Sequence, residues 1–529
     1  MLQLIIGAAV LVALFYYIAI RPMSYWKNLG IKQSSPKWLV GDNFGTLFKT
    51  ESFAGMVKRL YNQCPEATRY FGMYQFTLPT LMIKDPDLLK QITVKDFEYF
   101  MDHRVFIPED ADPLWGKNLF ALTGQRWKNM RPILSPSFTS SKMRSMFVLM
   151  SECSETFVKH FLDKNDDVTE IEMKDMFTRF TNDVIATTAF GVKVDSLAKP
   201  KNDFYLMGKS ATDFSGIWKN LKFFGYMVIP GFFKFFKIGL FEKSVSHFFI
   251  DLINDTVKTR EEKHIVRPDV IHLLMEARKG IQQKEESNVP DTGFATVQEA
   301  DLGKAGGAVK EITNLDITAQ ALIFFFAGFD TVSSLMCFMA YELAVNPDIQ
   351  TRLRQEIRET LDECNGKLTY EALLKMKYMD MVVSETLRKW PGAIAVDRIC
   401  TKPYTIEPTL PGEKPVHIKK GTVMWLPIIA IHNDPKFYPN PDKFDPERFS
   451  EENKGDINPY AYLPFGLGPR NCIGSRFALL ENKTVMFHIL RHFEFVPTGK
   501  SRIPLTLSKR SFNLLAEGGF WFGLKRVKN

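Results

Sequence analysis

The chain has 529 residues, 45% of them hydrophobic, and a formal net charge of +8. That length exceeds one ordinary core, the apolar content excludes global disorder, and so modest a charge gives no footprint for nucleic-acid binding. Six scattered cysteines (64, 153, 337, 364, 400 and 472) form no CxxC pair, which argues against a disulfide framework or zinc site and for a reducing compartment.

Leu2 to Ile20 is uncharged, almost wholly apolar and long enough to cross a bilayer as a helix. A secretory signal would want a basic start and a small-residue cleavage site, and neither is clear, so an uncleaved anchor is expected. Arg21, Lys27, Lys32 and Lys37 follow before the first acid, Asp42, and hold that flank on the cytosolic side. Residues 1–20 are read as the anchor, 21–45 as a basic linker and 46–529 as one large domain. Tyr70 to Phe76 and Thr80 to Ile83 read as strands, and Asp85-Pro86 starts a helix.

Trp127 and Arg131 stand one helical turn apart, so an indole N–H and a guanidinium can meet one carboxylate. Arg126, Lys128, Lys142 and Arg144 suit either an acidic partner or an ordinary solvated face. Phe223 to Phe249 holds nine Phe interleaved with Lys222, Lys234, Lys237 and Lys243. Such a stretch suits a membrane interface, or buried core with a few lysines. Gly280 to Ala308 reads as a polar surface loop. Asn314 to Val345 reads as one long helix, unusual for Ala327-Gly328 behind three Phe and for Asp330-Thr331 just after. Gly328 either opens a groove there or serves packing, with Thr331 bonding its own preceding turn. Glu385 and Arg388 share a helix face.

The most informative stretch is Phe465 to Gly474, with the pattern F-x-x-G-x-R-x-C-x-G, followed by an apolar run from Ile473 to Leu480 that looks helical. A thiolate at a helix N-terminus is stabilised by the dipole and free N–H groups. The glycines let the backbone pass close to something flat, and Arg470 can meet an anion. A flat anionic group with a metal that accepts one soft ligand is haem, and a single Cys is a suitable axial donor.

At these residues the chain resembles the cytochrome P-450 superfamily, over roughly residues 22–529. It is similar to the microsomal branch related to vertebrate drug-oxidising forms, and most to the insect members of family nine. The resemblance implies a mainly α (α+β) fold, a helix-rich catalytic domain with small sheets behind an N-terminal transmembrane helix. It implies haem b with Cys472 as metal ligand, and Trp127, Arg131, Arg398, Phe465, Arg470 and Gly474 as haem-binding residues. Asp330 and Thr331 match the acid–alcohol pair that delivers protons, although Val332 stands where the family usually has Thr or Ser. Glu385 and Arg388 match the ExxR pair, joined by Arg448 of Pro446-Glu447-Arg448-Phe449, a network that fixes the Cys loop. Phe106, Phe120, Phe325, Ala327 and Ala395 are substrate-pocket candidates. Only Pro22 and Pro36 fall in the linker, fewer than the family's usual hinge.

The function implied is a monooxygenase on the cytosolic face of the endoplasmic reticulum membrane. It would oxidise apolar xenobiotics with NADPH electrons from a cytochrome P-450 reductase, or a cytochrome b-type donor. The alternatives are a haem-thiolate isomerase or dehydratase acting on peroxides without a reductase, against which Asp330-Thr331 argues, and a non-catalytic haem gas sensor.

Overall fold

Helix α1 (Leu2–Phe15) buries none of its residues. The helical stretch from Leu2 to Asn28 is long and apolar enough to cross a membrane. The computed structural model describes residues 1–527 apart from 165, 213–218, 220–221, 223–224, 227–228, 268, 281–291 and 298–311. Phe223, Phe224 and most of the 280–308 loop therefore lie outside the described residues.

The stretch read as a linker is packed on the body. Trp26 is fully buried, and its Nε1 donates to the Met73 carbonyl at 3.2 Å. A Cβ on Gly72 would lie 2.5 Å from the indole, so only glycine lets the ring this close. Packing therefore does not change at residue 45.

Strands β1 (Tyr70–Gln75) and β2 (Leu78–Ile83) form the expected antiparallel hairpin, with Tyr70 opposite Ile83. The Asp85 side chain then caps α2 (Pro86–Lys90) by accepting from the Leu88 N–H. The longer helices that follow include α3 (Gly124–Leu134), α4 (Ser140–Leu162), α5 (Met173–Ile185), which comes after strand β3 (Val168–Glu172), and α6 (Asp203–Thr212). Then come α7 (Lys243–Glu262), α8 (Val270–Arg278), α9 (Asn314–Val345) and α10 (Lys377–Lys389). Strands β4 (Val396–Ile399) and β5 (Val423–Leu426) complete a sheet ordered β1-β2-β5-β4. Helix α11 (Ser475–His492) leads into β6 (Phe493–Val496) and β7 (Trp521–Arg526), which join β3 in a second, antiparallel sheet.

Helix α9 occupies the expected span. It starts with a capping box, in which the Thr313 side chain accepts from the Asp316 N–H and Asp316 accepts in return. It runs through two hydrophobic cores. Ile317, Leu322, Phe325 and Phe329 belong to one, with α7 and α8. Val332, Leu335, Phe338 and Leu343 belong to the other, with β1, β2 and α11. Phe324 and Ile473 pack against both, so the seam between the cores lies beside Cys472.

Candidate active site

The Cys loop owes its shape to two glycines in the left-handed region, Gly466 (φ 79°) and Gly468 (φ 71°). A Cβ on Gly468 would meet the Thr93 carbonyl oxygen at 1.9 Å. The turn closes by the Cys472 N–H donating to the Phe465 carbonyl at 2.8 Å and the Asn471 N–H to Gly468 at 2.9 Å. Helix α11 starts at Ser475, slightly later than Ile473, with Gly474 as its N-cap, so Cys472 lies at its positive end. Cys472 is exposed, although Arg470 and Asn471 beside it are buried. Phe465 and Gly474 are half-buried, and Gly474 abuts Phe138, whose ring meets Phe324 at 5.7 Å.

Three buried arginines converge on this loop. Arg131 donates to the carbonyl and side-chain oxygens of Asn471, each at 2.9 Å. Arg470 donates to the carbonyls of Met101 (2.8 Å) and Leu122 (2.6 Å), and its guanidinium lies 4.1 Å over the Trp127 ring. Trp127 and Arg131 thus also steady the loop, through Arg470 and Asn471. Arg398 donates to Leu467 O at 3.3 Å and Asp397 O at 2.7 Å, while its buried Nε has no partner among the described residues. Burial, together with the charge of Arg398, pushes Arg470 down to about 9. Burial lowers Arg398 to about 10. Asp102 reaches Arg470 only at 3.4 Å, and Asp397 is engaged by His103 Nδ1 (3.0 Å) and the Arg104 N–H (2.7 Å). Such a surplus of buried positive charge is the electrostatics of an anion site.

Across the seam, α9 turns Ala327 and Thr331 outward, both exposed at the middle of an otherwise buried helix. Of the two readings of Gly328, a groove or packing, the structure shows packing against α5: a Cβ there would lie 2.8 Å from Ile185 Cδ1. The Thr331 hydroxyl donates to the Ala327 carbonyl at 2.6 Å. Asp330 is held from two sides, by Lys174 Nζ at 2.8 Å and by the Asn513 amide at 2.7 Å. Lys174 also donates to Ser333 and Ser334, each at 2.8 Å. Nothing in the sequence around Lys174 or Asn513 marks them; only the packing of α5 and of the chain near the C-terminus brings them to Asp330.

The pocket candidates divide. Phe325 is fully buried in an aromatic cluster with Phe190, Phe204, Phe249 and Phe329, so it does not line the site. Phe326, next in sequence, faces Trp115 at 6.1 Å. Trp115 also meets Phe120 and Phe241, each at 6.3 Å, and Phe120 stacks on His103 at 4.6 Å. Phe106 lies under the Arg104 guanidinium in a small separate cluster with Ile107 and Tyr226. Ala395 packs against the larger core beside β4.

Behind the Cys loop, Glu385 receives Arg388 Nε at 2.7 Å and Nη2 at 2.8 Å, both side chains wholly buried. It also accepts the Asp445 N–H at 2.9 Å and faces Arg448 at 3.5 Å. Burial pushes the Glu385 carboxyl up, against the pull of Arg388 and Arg448. Arg388 Nη1 donates to the carbonyl of His432, whose Nδ1 returns to Arg388 O at 3.1 Å and whose Nε2 accepts the Leu463 N–H at 2.7 Å. Burial and the Arg388 charge push His432 down to about 3, so it is neutral, with its proton on Nδ1. His432 carries the network to the residues just before Phe465. In the basic cluster, Arg126, Lys128 and Arg144 each pair with an acid: Glu109, Glu98 and Glu371.

Sequence comparison agrees with this geometry. The family model described as cytochrome P-450 matches residues 35–521. The chain is 48% identical to cytochrome P-450 9e2 of Blattella germanica over 92% of its own length and 91% of that protein. It is 45% identical to the probable cytochrome P-450 9f2 of Drosophila melanogaster over 98% of both chains, and 36% identical to cytochrome P-450 6k1 of Blattella germanica over 98% and 95%. The chain therefore belongs to the cytochrome P-450 family of haem monooxygenases, among relatives of its insect family nine.

Proposed function

We propose that this chain is a membrane-held monooxygenase that inserts one oxygen atom of O2 into apolar foreign molecules, plant toxins and insecticides among them. Electrons would come from NADPH through a cytochrome P-450 reductase, with a cytochrome b-type protein as an alternative second donor. The reading is supported most by one observation: an exposed Cys472 on a loop crowded by three buried arginines, one with an N–H that finds no partner among the described residues. Those residues fit haem b, which the family implies. Cys472 would be its metal ligand, flanked by Phe465 and Gly474. Arg131, Arg398 and Arg470 would neutralise its carboxylates, and the Trp127 indole N–H would donate to them.

When bound, haem supplies the oxygen-activating chemistry, which a thiolate ligand favours. The chain's own residues do the rest. The Thr331 hydroxyl, which rests on the Ala327 carbonyl, and Asp330, held by Lys174 and Asn513, would hold and relay protons at the edge of the site. Trp115, Phe120, Phe241 and Phe326 exclude water and orient an apolar substrate. Residues 1–20 would anchor the catalytic domain, 46–529, to the cytosolic face of the endoplasmic reticulum through residues 21–45. Exposed Trp38, Phe48, Phe232 and Phe235 suit a second contact with the lipid surface.

The test is spectral and kinetic. Haem-loaded wild type should give the thiolate-type, red-shifted Soret band of the ferrous–CO complex, and Cys472→Ser should not. With reductase, NADPH consumption should rise on adding plant toxins or insecticides that shift the Soret band. A band that survives Cys472→Ser would end the ligand assignment. Consumption indifferent to every such compound, but raised by fatty acids or terpenoids, would end the substrate assignment.

A further inference from the structure

The chain between α8 and α9 sends one short piece back onto the body. Thr292 to Thr296 form a turn, closed by the Thr296 N–H donating to the Gly293 carbonyl at 3.0 Å. Lys483 of α11, its side chain wholly buried, donates to the Thr292 carbonyl at 2.6 Å and to Asp380 of α10 at 2.8 Å. The other Asp380 oxygen accepts the Phe294 N–H at 2.9 Å. Gly293 has φ 148°, and a Cβ there would sit 1.9 Å from Asp380 Oδ1, so this turn requires glycine. The Phe294 ring packs on Phe449 (5.3 Å) and Tyr462 (5.5 Å), and Thr292 and Ala295 are buried. A main-chain carbonyl, an N–H and an aromatic ring thus fill a recess lined by one cation, one carboxylate and two rings.

None of these contacts touches the haem or substrate side, yet each rests on a part that holds the Cys loop. Phe449 follows Arg448, which faces Glu385. Tyr462 donates to the Ser384 carbonyl at 2.9 Å and stacks on His432 at 5.6 Å. His432 in turn receives the Leu463 N–H, two residues before Phe465. Lys483 lies on the helix that Cys472 precedes.

We propose that Thr292–Thr296 is a plug, with Phe294 its key, that positions the Cys472 loop from behind, so that plug docking and haem ligation stabilise each other. The inference rests on the haem-thiolate reading. Linkage makes the effect reciprocal: whatever order docking gives the ligand loop, ligation must return to the plug. Phe294 is a positioning residue. A mere surface clip would cost stability but leave ligation and docking uncoupled.

The test uses the full-length protein, haem-loaded throughout and, for the exchange comparison, also haem-free. Phe294→Ala should lose the thiolate-type ferrous–CO band about tenfold faster than wild type, and Phe294→Leu should restore most of the difference. In wild type, the Phe294 amide should exchange its hydrogen about tenfold more slowly with haem bound than without. Band loss at the wild-type rate in Phe294→Ala, or amide exchange indifferent to haem, would overturn the proposal. If Phe294→Ala does not fold, the wild-type exchange comparison decides alone. Absence of the thiolate-type band in wild type would sink the functional reading instead.

Discussion

Glu385→Gln is the sharpest probe of the network behind the ligand loop. The carboxylate is fully buried, takes three donors, Arg388 Nε and Nη2 and the Asp445 N–H, and faces the Arg448 charge at 3.5 Å. Glutamine keeps the volume but retains one acceptor oxygen and turns an NH2 toward a donor. Two guanidinium charges are then left in the core with no anion. Breaking a buried pair from one side costs about 3–5 kcal/mol, because the surviving charge is uncompensated. At roughly 1–2 °C per kcal/mol for a protein of this size, the melting midpoint should fall by ~5 °C. The measurement is thermal loss of the thiolate-type ferrous–CO band, followed beside circular dichroism. The band should fail before the helices do, since the network leads through His432 to Leu463. Replacing both partners, Glu385→Met with Arg388→Met, should cost less than the two single changes added. A Glu385→Gln protein within ~1 °C of wild type, with the band and the helices lost together, would refute this reasoning.

Three further outcomes are expected. His432 is held down to about 3 in the folded protein against about 6.5 when unfolded, so below pH 6.5 the unfolded chain binds the extra proton. Its contribution to stability is complete above pH 6.5 and falls by about 2 kcal/mol between pH 6.5 and 5, a slope that His432→Asn should flatten in urea titrations. Thr331→Ala should keep haem uptake and substrate-induced Soret shifts while sending more NADPH to hydrogen peroxide, at a cost of about 2–4 kcal/mol in transition-state stabilisation; equal product per NADPH would show that this hydroxyl is not used. Deleting residues 1–20 should make much of the protein salt-extractable with its CO spectrum intact, and Phe235→Ser, at a residue 80% exposed, should release more of the remainder in vesicle flotation.

What could be read from the chain was local and repetitive. The span of α9, the β1–β2 hairpin, the Asp85 cap and the Cys loop each declare themselves within a few residues, through capping, turn glycines or apolar periodicity. The misreadings concern direction. Phe324, Phe325 and Phe326 are consecutive on a helix and point about 100° apart, so composition could not say that Phe326 faces Trp115 while Phe325 packs away from the site. At Gly328 the sequence could not choose between an opening and packing, because the approach of Ile185 from α5 leaves no local trace. Lys174 and Asn513 lie 156 and 183 residues from Asp330, and the plug at Phe294 meets partners across 86 residues or more. Such meetings are properties of topology, which no window of sequence displays.

That α9 is shared by two cores divides what selection can alter. Around Phe190, Phe204 and Phe249 a substitution repacks the side of the helix bearing the aromatic wall, and the loss falls on that core. Around Val332, Phe338 and the helix behind Cys472, the same change disturbs the grip on the ligand. Substitutions on one side of α9 can therefore accumulate while the packing behind Cys472 stays as it is.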